Sequence, residues 1–299
     1  MNYKVGTRGS KLALIQTDIV ISKLKEAYPN DNFEKIIYKT SGDKDQKNDL
    51  ELIGEKGVFA DTIETALQNG KIAFAVHSMK DMPSKPLEGL TFAKAWERED
   101  ARDVLILREN FKSLDDLPSG AVIGTCSKRR DFQLRLLRPD LKTTLIRGNI
   151  DTRLKKLKDG YSNGVKIDGI IIAAAGIKRL GREDEITQYF SVDEMIPSPA
   201  QGTLCIELKA ENTQLLEKIN ALSNYENDTV TSVEREFLQK IGATCHEPIG
   251  AYAQIAGDEI CLRAVYGNSD GSKLAKVKIT KSREEAADAA VKEITERLK

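Results

Sequence analysis

Short apolar runs of strand length alternate along this chain with stretches in which apolar residues recur every three or four positions. Tyr3-Lys4-Val5-Gly6 predicts a strand that turns through Thr7-Arg8-Gly9-Ser10 into a helix. Leu12, Ile15, Ile19 or Val20, Leu24 and Ala27 keep helical spacing there, and Ser10 stands where an N-cap belongs. Phe33 to Tyr38 predicts a second strand ending in Thr40-Ser41-Gly42-Asp43, and the polar stretch from Lys44 to Glu51 reads as a mobile loop. Gly57-Val58-Phe59 leads into a helix through Ala66. Lys71-Ile72-Ala73-Phe74 then runs into Ala75-Val76-His77-Ser78-Met79-Lys80-Asp81-Met82-Pro83, an apolar strand that stops in polar and charged groups. Gly89 to Trp96 predicts a further strand. Alternating strands and helices imply a parallel or mixed sheet covered on both faces, an α/β fold.

The charged crossing from Glu97 to Asp103 marks a boundary before Val104-Leu105-Ile106-Leu107. Beyond it a strand, a turn and a helix succeed one another three times. Ala121 to Gly124 breaks into Thr125-Cys126-Ser127-Lys128-Arg129-Arg130 and a helix towards Leu137. Thr144-Leu145-Ile146 breaks into Arg147-Gly148-Asn149 and a helix with Thr152 and Arg153. Ile170 to Ala173 breaks into Ala174-Ala175-Gly176-Ile177-Lys178-Arg179-Leu180. Pro197-Ser198-Pro199-Ala200-Gln201-Gly202 is a second hinge, followed by the strand Leu204 to Leu208. Two crossings around one inserted unit suggest a discontinuous first domain. From Val230 the character changes to a helix ending at Gly242, three strands (Ala251 to Ile255, Glu259 to Tyr266, Lys273 to Ile279) and a last helix striped by Ala287, Val291, Ile294 and Leu298. That is a small α+β domain. The expected divisions are 1–97 with 200–222, 98–199, and 223–299.

Lys+Arg and Asp+Glu both number 46, so no global basicity points to nucleic acid, and any anion site must be local. Cys126, Cys205, Cys245 and Cys261 form no CxxC pair and no metal-ligand spacing, which fits a reduced, cytoplasmic protein without a metal. No apolar run reaches membrane-spanning length, and the N-terminus carries no signal core.

Ligands of open α/β sheets bind at the carboxyl ends of strands. Lys80 and Asp81 stand at such an end. Arg8, the Arg129-Arg130 pair, Arg147 and Arg153 recur beside Ser, Thr or Gly at strand-to-helix turns, where backbone N–H groups and helix dipoles favour anions. Each arginine alone is better explained by a surface salt bridge; jointly they point to a polyanion, and with no Walker or dinucleotide fingerprint multiple carboxylates fit better than a nucleotide. Cys205 and Cys261 lie in apolar strand patterns and read as core, Cys126 in a basic turn, and Cys245 in a glycine-flanked loop open to chemistry. His77 and His246 belong to no triad and read as structural or peripheral.

Together these pieces resemble the porphobilinogen deaminase (hydroxymethylbilane synthase) family over nearly the whole chain. Gly6 to Leu14, Ala75 to Pro83, Gly124 to Arg130, Arg147-Gly148-Asn149 with Thr152-Arg153, Ala175 to Leu180, and Pro248-Ile249-Gly250 after Cys245 carry the likeness in order and spacing. The resemblance implies two α/β domains like type II periplasmic binding proteins around an active-site cleft, plus a small C-terminal α+β domain. It implies head-to-tail condensation of four porphobilinogen molecules with loss of ammonia, on a dipyrromethane primer bound covalently to a loop cysteine. Cys245 matches that cysteine and Asp81 the catalytic carboxylate. Lys80, Asp81, Thr125, Ser127, Arg129, Arg130 and Arg147 match positions facing the cofactor; Arg8, Ser10, Lys56, Ser78, Arg153, Arg179 and Gln201 match positions facing substrate. The expected protein is a cytoplasmic monomer acting on a small molecule, with no nucleic acid or membrane partner. Ala243-Thr244, Cys126 and Ser41 depart from the family's usual glycines, serine and basic residue. A non-catalytic cleft protein for an anionic metabolite is the rival reading; it leaves Asp81 and Cys245 without a role.

Overall fold

A computed structural model describes residues 1–38, 61–108, 110–243, 247–268 and 272–299. The expected loop from Lys44 to Glu51, Lys56, the Gly57-Val58-Phe59 helix start, Cys245 and His246 lie outside the described residues. The chain forms two compact units, Met1–Arg98 with Thr203–Asp228 and Glu99–Gly202 with Thr229–Lys299.

In the first unit β1 (Asn2–Arg8) pairs in parallel with β2 (Asn32–Tyr38) and with β3 (Phe74–Ser78). β12 (Leu204–Lys209) joins β3 antiparallel and β4 (Leu90–Phe92) closes the edge, giving the order β2-β1-β3-β12-β4. β1 is longer than its apolar pattern because pairing with β2 continues to Arg8 opposite Tyr38. β4 is shorter than the expected Gly89–Trp96 strand. Beyond it the backbone N–H of Lys94 donates to Asn220 Oδ1 and that of Ala95 to Asp228 Oδ1, both at 2.8 Å, so side chains replace the ladder. Trp96 is buried and its indole N–H donates to the Ile219 carbonyl at 3.0 Å.

α1 (Lys11–Ala27) starts at Ser10, whose hydroxyl accepts from the Ala13 N–H at 3.3 Å. Its buried stripe, Val20, Ile21 and Leu24 among others, packs with Val5, Phe74 and Ile206 on one sheet face. α2 (Asp61–Gln68) covers the other face with Ile63, Ala66 and Leu67 against Ala75. α6 (Thr213–Asn220) follows β12 and adds Leu215 and Ile219 to the first face.

The second unit repeats this arrangement. β6 (Val122–Gly124) is parallel to β7 (Lys142–Thr144) and β10 (Gly169–Ala173); β5 (Asp103–Leu107) and β11 (Gln188–Tyr189) complete the order β7-β6-β10-β5-β11 through antiparallel pairs. β7 ends before the expected Leu145 and Ile146: the Leu145 carbonyl accepts from Ser162 Oγ at 3.0 Å instead of joining the ladder. Ser162 lies in a hairpin, β8 (Tyr161–Ser162) and β9 (Val165–Lys166), that the apolar pattern does not announce. α3 (Lys128–Leu137), α4 (Ile150–Asp159) and α5 (Ala174–Arg179) follow β6, β7 and β10.

The C-terminal part of this unit is a three-stranded antiparallel sheet, β13 (Gly250–Ala256), β14 (Glu259–Gly267) and β15 (Leu274–Lys281), with α7 (Tyr225–Ile241) and α8 (Ala286–Leu298). Val233, Phe237, Leu262, Val277, Ala287 and Ile294 form its core. Cys205 is fully buried as expected, whereas Cys261 is only half-buried, with Arg263 Nη1 donating to its sulfur at 3.6 Å; Cys126 is exposed.

Candidate active site

In the first unit the end of β3 becomes a short 3-10 turn, Met79–Asp81. Met79 and Met82 are both 5% exposed, so the turn is pinned from inside by two thioether side chains. Between them Lys80 is half-buried and Asp81 is exposed. The Met79 N–H donates to the Thr203 carbonyl at 3.0 Å, and Gln16 Nε2, on α1, donates to Ser78 Oγ at 2.9 Å. Arg8 closes β1 beside a buried Thr17–Thr7 hydroxyl contact of 2.7 Å that fastens α1 to the strand. Arg8, Ser10, Ser78, Lys80 and Asp81 thus all sit at the carboxyl ends of β1 and β3, neighbours in one sheet. Just behind them, His77 Nε2 lies 3.2 Å from Oε2 of the fully buried Glu207.

In the second unit the equivalent strand ends carry cations. Ser127 caps α3, its hydroxyl accepting from the Arg130 N–H, and Thr125 Oγ1 accepts from the Ser127 N–H at 3.2 Å. Arg129 and Arg130 are more than nine-tenths buried and both turn to Asp103. Arg129 Nη1 donates to Asp103 Oδ2 at 2.6 Å and to the Ile196 carbonyl at 2.7 Å. Arg130 engages Asp103 Oδ1 through Nε and Nη2 and the Ile171 carbonyl through Nη1, so each of its nitrogens already has a partner. Burial alone would raise the Asp103 carboxyl; the Arg129 and Arg130 charges, with hydrogen bonds from Arg129 and Gln201, outweigh it and hold the group well below the usual carboxylate range. Gln201, also fully buried, donates to Asp103 Oδ1 at 3.0 Å and the Ala101 carbonyl at 2.8 Å.

After β7, Asn149 caps α4 by accepting from the Thr152 N–H at 2.9 Å. Gly148 takes φ +110°, and a Cβ there would fall 2.6 Å from Thr152 Cγ2, so the turn needs glycine for both conformation and space. Arg153 Nε donates to the Gly148 carbonyl at 2.8 Å, and Arg147 precedes this turn half-buried. After β10, Arg179 Nη2 donates to the Gly202 carbonyl at 2.6 Å. Burial pushes the Arg179 guanidinium down to about 10, with the Glu99 carboxylate opposing the shift. A mostly buried cation at a strand end gains from an arriving carboxylate.

Within each unit the sequence-expected residues gather at the same end of one sheet; Lys56 and Cys245 lie outside the described residues. The flanks of Cys245 are fixed: Ala243 is buried, and the Tyr266 hydroxyl donates to Glu247 Oε1 at 2.8 Å. Asp103, Glu207 and Glu234, all fully buried, escape a reading of the sequence, though a carboxylate beside or inside an apolar strand is a visible signal for the first two. Within the second unit the donor set, capped helix N-termini with Arg147, Arg153 and Arg179, suits a group bearing several carboxylates such as a dipyrromethane.

Residues 3–217 match the model of the porphobilinogen deaminase dipyromethane cofactor binding domain, and residues 229–299 that of the porphobilinogen deaminase C-terminal domain. The chain is 52% identical over 288 residues to a porphobilinogen deaminase of Lachnospira eligens, covering 96% of each. It is 50% identical over 274 residues to one of Clostridioides difficile, covering 92% of this chain and 89% of that protein. Among solved structures, the Bordetella pertussis BvgS periplasmic VFT2 domain aligns with 76% of this chain and 89% of its own at TM-score 0.46 and 15% identity. The matched models span both units, and on that ground the chain belongs to the porphobilinogen deaminase family.

Proposed function

We propose that this chain condenses four porphobilinogen molecules head to tail, releasing ammonia at each condensation, and that hydrolysis then frees hydroxymethylbilane. The observation that carries this reading is Asp81, held outward at the end of β3 by Met79 and Met82 in a chain of this family. A carboxylate fixed there stabilises the positive charge that develops on the substrate as ammonia departs, without reorganising at the moment of reaction. Lys80 supplies a cation beside it. Arg8, Ser10, Ser78, Arg153, Arg179 and Lys56 receive acetate and propionate groups of substrate. Thr125, Ser127 and Arg147 hold those of the cofactor. The buried Arg129, Arg130 and Gln201, tied to Asp103, shape that same turn from within.

Cys245 is the proposed attachment residue for the dipyrromethane, which, when bound, supplies the pyrrole end from which the chain grows. The proposed working form is a cytoplasmic monomer of three domains, without nucleic acid or membrane partners. None of the described helices is long and apolar enough to cross a membrane. Intact mass followed by peptide mapping tests the reading. A covalent excess of two pyrrole units on Cys245, with porphobilinogen consumed and ammonia released, is expected; an unmodified chain inert towards porphobilinogen overturns it.

A further inference from the structure

The six-residue helix α5 ends in two consecutive cations, Lys178 and Arg179, and the second unit treats them in opposite ways. Arg179 is mostly buried, yet among the described residues its guanidinium makes one hydrogen bond, from Nη2 to the Gly202 carbonyl, and no ion pair. Lys178, only half-buried, has two carboxylates: its Nζ lies 3.0 Å from Glu99 Oε1 and 3.7 Å from Glu183 Oε1. The Glu99 oxygen that meets Lys178 also accepts from the Asp100 N–H at 2.8 Å. The more desolvated of the two cations is therefore the one left without a counter-ion.

Glu99 is nevertheless close to Arg179. Its backbone N–H donates at 3.2 Å to the Gly202 carbonyl, the same acceptor that Arg179 Nη2 uses. Burial raises the Glu99 carboxyl, but the Asp100 N–H, the Lys178 ammonium and the Arg179 charge outweigh it and hold the group below the usual carboxylate range. An arginine presents a planar fork that suits a carboxylate through two parallel bonds. A glutamate of this chain lies near enough to feel that fork and is held by other donors. A guanidinium taken out of water without a partner is costly, so the arrangement keeps Arg179 in need of a carboxylate.

We propose that Lys178 is a positioning residue: it draws the Glu99 carboxylate aside and so keeps Arg179 open to a carboxylate of the substrate. The inference rests on the assignment of Arg179 to substrate. Without the Lys178 ammonium, Glu99 turns to the next cation of the helix, and the chain's own carboxylate competes with the ligand's. The harm done by losing Lys178 therefore passes through Glu99, and removing the Glu99 charge undoes it. A general field effect differs in sign and in form. Lys178 and Glu99 would then each act by its own charge, and their effects would add.

The test is a double-mutant cycle on the whole chain, each variant shown by mass to carry its primer and by circular dichroism to be folded. KM for porphobilinogen should rise about fivefold in Lys178→Met, while kcat stays within about twofold. Glu99→Gln alone should leave KM within about twofold of wild type, and the double variant should return to the Glu99→Gln value. If Lys178→Met does not fold, Lys178→Gln takes its place. Equal effects of Glu99→Gln in both backgrounds overturn the proposal, as does a wild-type KM in the folded lysine variant. A second readout needs no turnover. Phenylglyoxal modifies accessible arginines, and peptide mapping of the chain without porphobilinogen gives the rate at Arg179 relative to the exposed Arg135. That ratio should fall in Lys178→Met, where Glu99 covers the guanidinium, and recover in the double variant; a constant ratio sinks the proposal. Wild-type KM in Arg179→Gln refutes the substrate assignment separately, since the phenylglyoxal ratio decides on Lys178 without reference to substrate.

Discussion

The two five-stranded sheets share one strand arrangement and one use of it, yet they spend their buried carboxylates differently. In the second unit Asp103 opens β5 and gathers two arginines and a glutamine, a fully satisfied cluster under the α3 N-terminus. In the first, Glu207 sits within β12, 3.2 Å from Nε2 of His77 at the strand end that leads to Lys80 and Asp81 but without a hydrogen bond to it. The first sheet ends in the exposed carboxylate of Asp81, whereas the strand ends of the second carry cations and capped helix ends. Two sheets of the same strand arrangement thus differ in the exit from a single strand: a methionine-pinned 3-10 turn after β3, a short helix ending in a desolvated arginine after β10.

The largest expected effect breaks the second sheet's cluster. Asp103→Asn leaves two buried guanidiniums short of their counter-charge and should cost about 3–5 kcal/mol, read from the urea midpoint. The contrasting Glu207→Gln should cost less, about 1–3 kcal/mol. Equal losses would mean that the two carboxylates are not differently engaged. Because the Asp103 carboxyl is held low in the folded state, its contribution is fully present above the ordinary aspartate value of about 3.9 and is lost as pH falls through the lowered native value. Acid titration of wild type should therefore show a loss of stability that Asp103→Asn lacks.

Asp81→Asn should come next. With its cofactor shown by mass to be present, turnover should fall on the order of a hundredfold to a thousandfold while stability stays within about 0.5 kcal/mol of wild type, since the side chain is exposed. Asp81→Glu, charged but displaced, should fall between the two. Wild-type turnover in the asparagine variant would remove the chemical role assigned to the first sheet. A smaller effect is expected for Arg147→Lys in the second: the charge remains and the planar fork is lost, giving about a tenfold loss in primer loading or kcat/KM with the fold intact. The smallest is a gain. Ala200→Gly relieves a left-handed alanine and offsets part of that by greater freedom when unfolded, for a net of about 0.5 kcal/mol and a Tm rise of about 1–2 °C. A lower Tm would mean that Ala200 carries no strain.

The features legible in the sequence are mostly local ones. Ser10 caps α1 through a residue three positions on, and Ser127 and Asn149 work in the same way, so strand-turn-helix units can be read directly. The ends of β4 and β7 differ from their apolar patterns because their outer residues bond to groups distant in sequence, such as Asn220, Asp228 and Ser162. Arg129 and Arg130 are visible as part of an anion-binding turn. Their partner Asp103 lies 26 and 27 positions earlier, and Gln201 lies 98 positions after Asp103, a convergence that no periodicity announces. Asp81 stands out by its place at a strand end. Cys245 and Lys56 are identified chiefly through the resemblance, since a lone loop residue has no pattern of its own.

The single tryptophan, Trp96, lies in the core of the first unit with its indole bonded to the Ile219 carbonyl. Its fluorescence therefore senses solvent entry into that unit alone, while far-ultraviolet circular dichroism sums over the helices of both. Superimposable melting curves from the two signals would show that the molecule unfolds in one step. Separated curves would reveal which half lets go first, and would do so in the unmodified protein without any added label.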